Sequence, residues 1–185
     1  MKRPATMIIK LFWLSICLAM VPAASAQDAS PEARIKAAFL FKFCHYVEWP
    51  EQAFAGPGDP IVIGVVGDLA IARELQRVIV GRDVRQRPLQ VRHYRTEQDP
   101  AGAHLLFVDQ SARAALTHWR KRLEGSPVLL VTEGTSGLDS GSSVNFVVEG
   151  DRVRFDISLI AADAHQLRIS SQLLSVARQV RGRSP

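Results

Sequence analysis

Val144 to Val180 reads VNFVVEGDRVRFDISLIAADAHQLRISSQLLSVARQV. Two apolar runs flank Gly150-Asp151, a two-residue connection of the kind that matches the twist of paired strands, so this stretch predicts a β-hairpin. In its second strand Val153, Phe155 and Ile157 alternate with Arg152, Arg154 and Asp156. That pattern turns one face to a core and leaves the other to water or a partner. A closing helix follows. Ser170 or Ser171 supplies its cap, Leu173, Leu174, Ala177 and Val180 recur at helical spacing, and Arg178 and Arg181 sit where a helix C-terminus favours cations. The stretch holds no paired carboxylates, no glycine-rich phosphate cradle and no metal-ligand cluster, and reads as architecture or as an interaction surface.

Upstream, covered strands alternate with capped helices. Ser30-Pro31 opens a helix that runs to about Val47 and is stopped by Trp49-Pro50, because the residue before proline avoids helical angles. Ile35, Phe39, Phe43 and Tyr46 make one stripe on it, widened by Leu40, Phe41 and Val47, so the helix is either sandwiched in the core or docks aromatic surface on another chain. Ile61 to Val66 is a continuous apolar strand. Asp68 caps a helix carrying Ile71, Leu75, Val78 and Ile79, ended by Gly81, and Leu89 to Tyr94 alternates as an edge strand. The unit repeats. His104 to Val108 is a strand, Ser111 caps a helix bearing Ala115, Leu116, Trp119 and Leu123, Gly125 and Pro127 end it, and Val128 to Val131 is another covered strand. This order predicts a single three-layer α/β domain: a mixed, mostly parallel sheet flanked by helices, with the antiparallel hairpin and closing helix at its C-terminal end.

The first 26 residues read as an export signal. Lys2, Arg3 and Lys10 form a basic start, Leu11 to Met20 a short apolar core, and Ala24-Ser25-Ala26 a cleavage site before Gln27. Cys17 follows Ile16 where a lipoprotein signal needs a small residue, so the expected product is an exported, soluble domain, residues 27–185, without a lipid anchor. Cleavage also removes most of the charge imbalance. The chain has 23 Lys+Arg and 18 Asp+Glu; three basic residues leave with the signal, so 20 face 18. That near-balance argues against a nucleic-acid partner. The basic run Arg82 to Arg95 is broken by Pro88, Leu89 and Val91 and reads as a solvated edge strand. Cys44 is alone in the mature chain, which excludes an intramolecular disulfide and suits a small buried hydrophobe.

Asn145-Phe146, Arg154-Phe155-Asp156-Ile157 and Ile169 to Leu174 (ISSQLL), with Phe39 to Pro50 (FLFKFCHYVEWP), resemble the YfiR-like family of small periplasmic proteins over about residues 35–180. Where that pattern has Asn after the Arg-Phe-acidic-Ile run this chain has Ser158, and its usual Gly-Gly is Gly141-Ser142-Ser143 here. The resemblance implies a regulator that represses an inner-membrane diguanylate cyclase, a cyclic di-GMP source for biofilm formation, by binding its periplasmic sensor domain. It also implies release by an outer-membrane lipoprotein.

Two groups of residues stand out as sites. The polar hairpin residues Arg152, Arg154 and Asp156, and Trp49 at the helix stop, are candidates for partner contact; the other readings are sheet solubility and core packing. In open α/β sheets ligands gather beyond the carboxyl ends of the strands. Asp68, Asp109, Ser111, Thr132 and Glu133 fall there and could frame a pocket for a polar or cationic ligand, with helix capping the alternative for Asp68 and Ser111. Such a pocket would make the protein a periplasmic small-ligand sensor or carrier acting on a membrane receptor or kinase. Gly64 and Gly67 lack the earlier turn of a dinucleotide fingerprint, the five histidines lack metal-ligand spacing, and no G-x-S-x-G elbow occurs, so no cofactor, metal site or catalytic residue is expected. The exposed edge strand and aromatic helix suit a homodimer.

Overall fold

In the computed structural model, which describes residues 29–182, helix α1 (Pro31–Tyr46) begins where Ser-Pro predicts. The Ser30 hydroxyl accepts from the Ala33 N–H at 3.1 Å, and Pro31 takes the first turn, where a missing N–H is harmless. The expected export signal, residues 1–26, lies outside the described residues. The buried side of α1 is Ala33, Lys36, Ala37, Leu40, Phe43 and Cys44, rotated from the stripe the sequence suggests. Small side chains at 33 and 37 let the helix approach its neighbours closely, which turns Ile35 out to 39% exposure.

One eight-stranded sheet carries the domain. Its strands are β2 (Ile61–Val66), β3 (Asp83–Val84), β4 (Arg87–Tyr94), β5 (Leu105–Val108), β6 (Leu129–Glu133), β7 (Val144–Glu149), β8 (Arg152–Ser158) and β10 (Gln179–Arg181), in the order β10-β8-β7-β6-β5-β2-β4-β3. The pairs β4–β2, β2–β5, β5–β6, β6–β7 and β8–β10 are parallel, while β7–β8 and β3–β4 are antiparallel. A two-stranded ribbon of β1 (Val47–Glu48) and β9 (Arg168–Ile169) lies apart from it. All six residues of β2 are buried, as a strand covered on both faces requires. One core cluster holds α1 and α2 (Leu69–Ile79) against the sheet, and the other holds α3 (Ala114–Leu123) through Leu116, Trp119 and Leu123.

The hairpin forms as read. Glu149 pairs with Arg152 across Gly150, whose φ of +58° a side chain would strain. Phe146 and Phe155 are cross-strand partners, and both meet α1. Ring centroids lie 5.7 Å apart for Phe43–Phe146, 5.1 Å for Phe43–Phe155, 5.3 Å for Phe39–Phe155 and 6.0 Å for Phe107–Phe146. Each such pair adds about 0.5–1.5 kcal/mol beyond its burial.

Two local expectations are corrected, and one element is added. Ser111 does not cap α3. Its hydroxyl donates to Asp109 Oδ1 at 2.7 Å, the same oxygen accepts from the Ala112 N–H at 2.8 Å, and α3 starts at Ala114 without a side-chain cap. A short helix α4 (Leu159–Ala164) follows β8, its N-terminus capped by Ser158, whose hydroxyl accepts from the Ala161 N–H at 3.2 Å. Serine thus does there what asparagine also does well. Finally, the closing helix α5 (Ser171–Val176), capped by Ser170, stops before Ala177, and residues 179–181 become β10. The open edge of β8 outcompetes further helix. The Arg178 N–H donates to the Phe155 carbonyl at 2.8 Å, and its guanidinium grips Asp156 through Nε–Oδ1 at 2.7 Å and Nη2–Oδ2 at 2.5 Å. A further bond runs from Nη1 to Glu149 Oε1 at 2.7 Å.

Asp156→Ala removes the fork's main acceptor. We expect a loss of about 2 kcal/mol, the scale of hydrogen bonds to charged groups, in urea melts, with faster amide exchange at residues 179–181. An unchanged melt and unchanged exchange would show that the fork does not hold β10.

Candidate functional site

The carboxyl ends of β2, β5 and β6 carry Asp68, Asp109 and Glu133, and each carboxylate is engaged by groups of the fold. Asp68 Oδ1 caps α2, accepting from the Ala70 and Ile71 N–H groups at 2.7 and 3.4 Å. Asp109 is buried against Gly67, where an added Cβ would stand 2.3 Å from the carboxylate, and φ of +94° already requires glycine. Glu133 Oε1 accepts from the Gln110 N–H at 3.0 Å while Oε2 takes the ammonium of Lys36. Thr132 is buried beneath, its hydroxyl 2.8 Å from Ser142 Oγ and 3.0 Å from Asn145 Oδ1. Ser111 alone opens outward, onto a shallow depression with Thr96, Glu97 and His118. Asp109 and Ser111 bond each other, while Asp68, Thr132 and Glu133 are each engaged by other groups of the fold, and among the described residues no His/Cys/Asp/Glu group has the arrangement of a metal site.

Lys36 is the residue that reading by sequence missed. Burial opposes its charge, but hydrogen bonds and attraction from Glu133 and Glu32 outweigh that and raise its pKa. Its one visible signal is Glu32 four residues earlier, a helical ion-pair spacing; Glu133 is a partner only the fold supplies.

The hairpin end is different. Arg152 and Arg154 point outward, and with Ile35, Phe39, Val153 and Val176 they line a groove of about 380 Å³ between α1, the hairpin tip and the end of α5. Val176 is 66% exposed, so apolar surface from three elements meets water there. Arg154 approaches Glu149 only to 3.8 Å, and Arg152 makes no ion pair among the described residues. Asp156 shares their face of the strand but is buried in the Arg178 fork, and so does not join this outward surface.

Trp49 is half-buried rather than presented. Its indole N–H donates to the His104 carbonyl at 2.9 Å, and it walls a cavity of about 140 Å³ with Cys44, Phe54 and Arg85. Cys44 is fully buried, and desolvation pushes its thiol up to about 12, so it stays protonated. His104 accepts from the Val62 N–H at Nδ1 and lies 3.0 Å from the Ala53 carbonyl at Nε2, an arrangement that fixes the neutral ring with its proton on Nε2.

With this geometry in view, the comparisons are specific. Residues 33–178 match the YfiR/HmsC-like family. The chain belongs to that family. The YfiR/HmsC-like proteins are periplasmic regulators in cyclic di-GMP signalling and are not catalysts. No curated protein matches the sequence. No helix among the described residues is long and apolar enough to cross a membrane.

His104 sets an acid limit. Burial lowers its pKa below 6.5, so its neutral form stabilises the fold fully above that value. The contribution fades as pH falls through the lower folded pKa. Unfolding free energy should decline below about pH 6.5, and His104→Gln should flatten that limb of a pH series of urea melts. An equally steep limb in the variant would assign the slope elsewhere.

Proposed function

We propose that this protein is a periplasmic regulator that holds an inner-membrane diguanylate cyclase inactive by binding the cyclase's sensor domain, and that it acts by contact without catalysis. Residues 1–26 direct export and are removed after Ala26, leaving a domain without a lipid anchor. Repression is then a binding equilibrium that shifts the cyclase between two states, and an outer-membrane lipoprotein relieves it by competing for the regulator.

The observation that carries this reading is the contrast between the two ends of the hairpin sheet. Inside, carboxylates and cations pair with each other. At the tip, Ile35, Phe39, Val153 and Val176 stay open to water beneath two outward guanidiniums. An apolar floor rimmed by arginine is the composition that anchors protein interfaces. Family membership supplies the kind of partner.

One observation favours a second reading, a small-ligand sensor. A cavity of about 380 Å³ lies between α3 and the Ser140-Gly141 turn, floored by Leu116, Leu123 and Leu130 with Lys121, Glu124 and His165 around it. A ligand held there would raise the melting temperature.

Pull-down of residues 27–185 from detergent-solubilised envelope should recover an inner-membrane protein with a cyclase output domain. Arg152→Glu with Arg154→Glu should weaken that binding about tenfold or more, two charge reversals at an interface rim, without altering the melt. Intact affinity in the double variant would move the contact off the hairpin. Recovery of nothing specific, with a melting temperature that rises on metabolite addition, would favour the sensor.

A further inference from the structure

The opposite margin of the sheet is less finished than its strand count implies. β4 pairs along its inner side with β2 from Ile61↔Leu89 to Val66↔Tyr94. On its outer side β3 reaches only Pro88 and Arg87, through Asp83 and Val84. From Leu89 to Tyr94 no strand among the described residues pairs with the outer side. Alternate residues of a strand direct N–H and C=O to the same side, so half of these residues present a row of unpaired donors and acceptors.

The charge along this margin is predominantly positive. Arg82, Arg85, Arg87, Arg92 and Arg95 face a single acid, Asp83, within residues 82–95. Three of the five are occupied. Arg87 donates to the Gly56 and Asp59 carbonyls at 2.8 and 3.1 Å and stacks 3.7 Å over Phe54, Arg82 stands over Phe41, and Arg85 reaches Glu48 at 3.3 Å. Arg92 and Arg95, beside the open stretch, are exposed and make no ion pair among the described residues; Arg92 bonds only the neutral Gln90, at 2.9 Å. A second copy of this edge would bring the same cations against these. An acidic strand would not.

We propose that the outer edge of β4 accepts an extended acidic segment of another protein as an added strand. Its backbone pairs with Leu89–Tyr94 and its carboxylates meet Arg92 and Arg95. This site stands at the far side of the sheet from the hairpin groove and does not depend on the cyclase reading.

The test uses the ¹⁵N-labelled mature chain and a capped peptide of about seven residues, a common strand length, with glutamates on both faces among valine or threonine, because Arg92 and Arg95, three residues apart, fall on opposite faces of the sheet. Saturating peptide should slow exchange of the outward amides between residues 89 and 94, and a lysine counterpart should not. Arg92→Glu with Arg95→Glu, both exposed, should keep the melt, lose about tenfold affinity for the acidic peptide and gain affinity for the lysine one. Arg152→Glu with Arg154→Glu should leave the titration unchanged. Binding without protection of these amides, equal binding of both peptides to the unmutated chain, or no binding up to millimolar peptide would each overturn the proposal.

Discussion

The structure depends on the packing of α1 against the hairpin through Phe39, Phe43, Phe146 and Phe155. These four rings join the first and last thirds of the chain, and Phe107 extends the contact to the middle of the sheet. Fixing α1 at this angle has two consequences. It drops Lys36 onto Glu133 at the strand ends, and it lifts Ile35 to the rim beside Val153 and Val176. Core and candidate surface are thus two sides of one packing choice: the stripe through Ala33, Ala37 and Leu40 is buried, and the next stripe round is left for the groove.

The polar interior follows a simple economy. Charges that enter the fold arrive with partners: Lys36 with Glu32 and Glu133, Arg178 with Asp156 and Glu149, Asp109 with Ser111 and the Ala112 N–H. Breaking one member leaves a charge stranded, which costs more than the pair contributes. Such pairs therefore hold geometry, and two of them, Lys36 with Glu133 and Asp109 with Ser111, stand at the strand ends where many α/β folds host ligands.

Legibility in the sequence tracked the distance over which each feature is decided. The hairpin turn at Gly150, the caps at Ser30, Asp68 and Ser170, and the covered strand β2 rest on neighbours in sequence, and the structure has them. The end of α5 looked helical because Leu173, Leu174, Ala177 and Val180 keep helical spacing; only the open edge of β8, brought near by folding, makes residues 179–181 a strand. Asp156 alternates perfectly with Arg154, and its burial is set by Arg178, 22 residues away. Lys36 carries only the signal of Glu32 four residues earlier; its second partner, Glu133, lies 97 residues away and is supplied by the fold. Ser111 does not cap α3 because its hydroxyl turns back to Asp109, whose carboxylate holds the turn at Ala112 before the helix begins, a local preference that spacing alone does not resolve. The outward placement of Arg152 and Arg154 was legible from period alone, but the groove beneath them needed α1 and α5 in place.

The most direct test of the central claim is cyclic di-GMP itself, measured in cells that lack the gene and in the same cells complemented with the wild-type chain or with the Arg152→Glu, Arg154→Glu form. Repression through the hairpin groove predicts raised nucleotide on deletion, return to the parental level with the wild-type chain and no return with the double variant. Unchanged nucleotide on deletion, in cells that express the cyclase recovered with the protein, would contradict repression; full rescue by the double variant would contradict the groove.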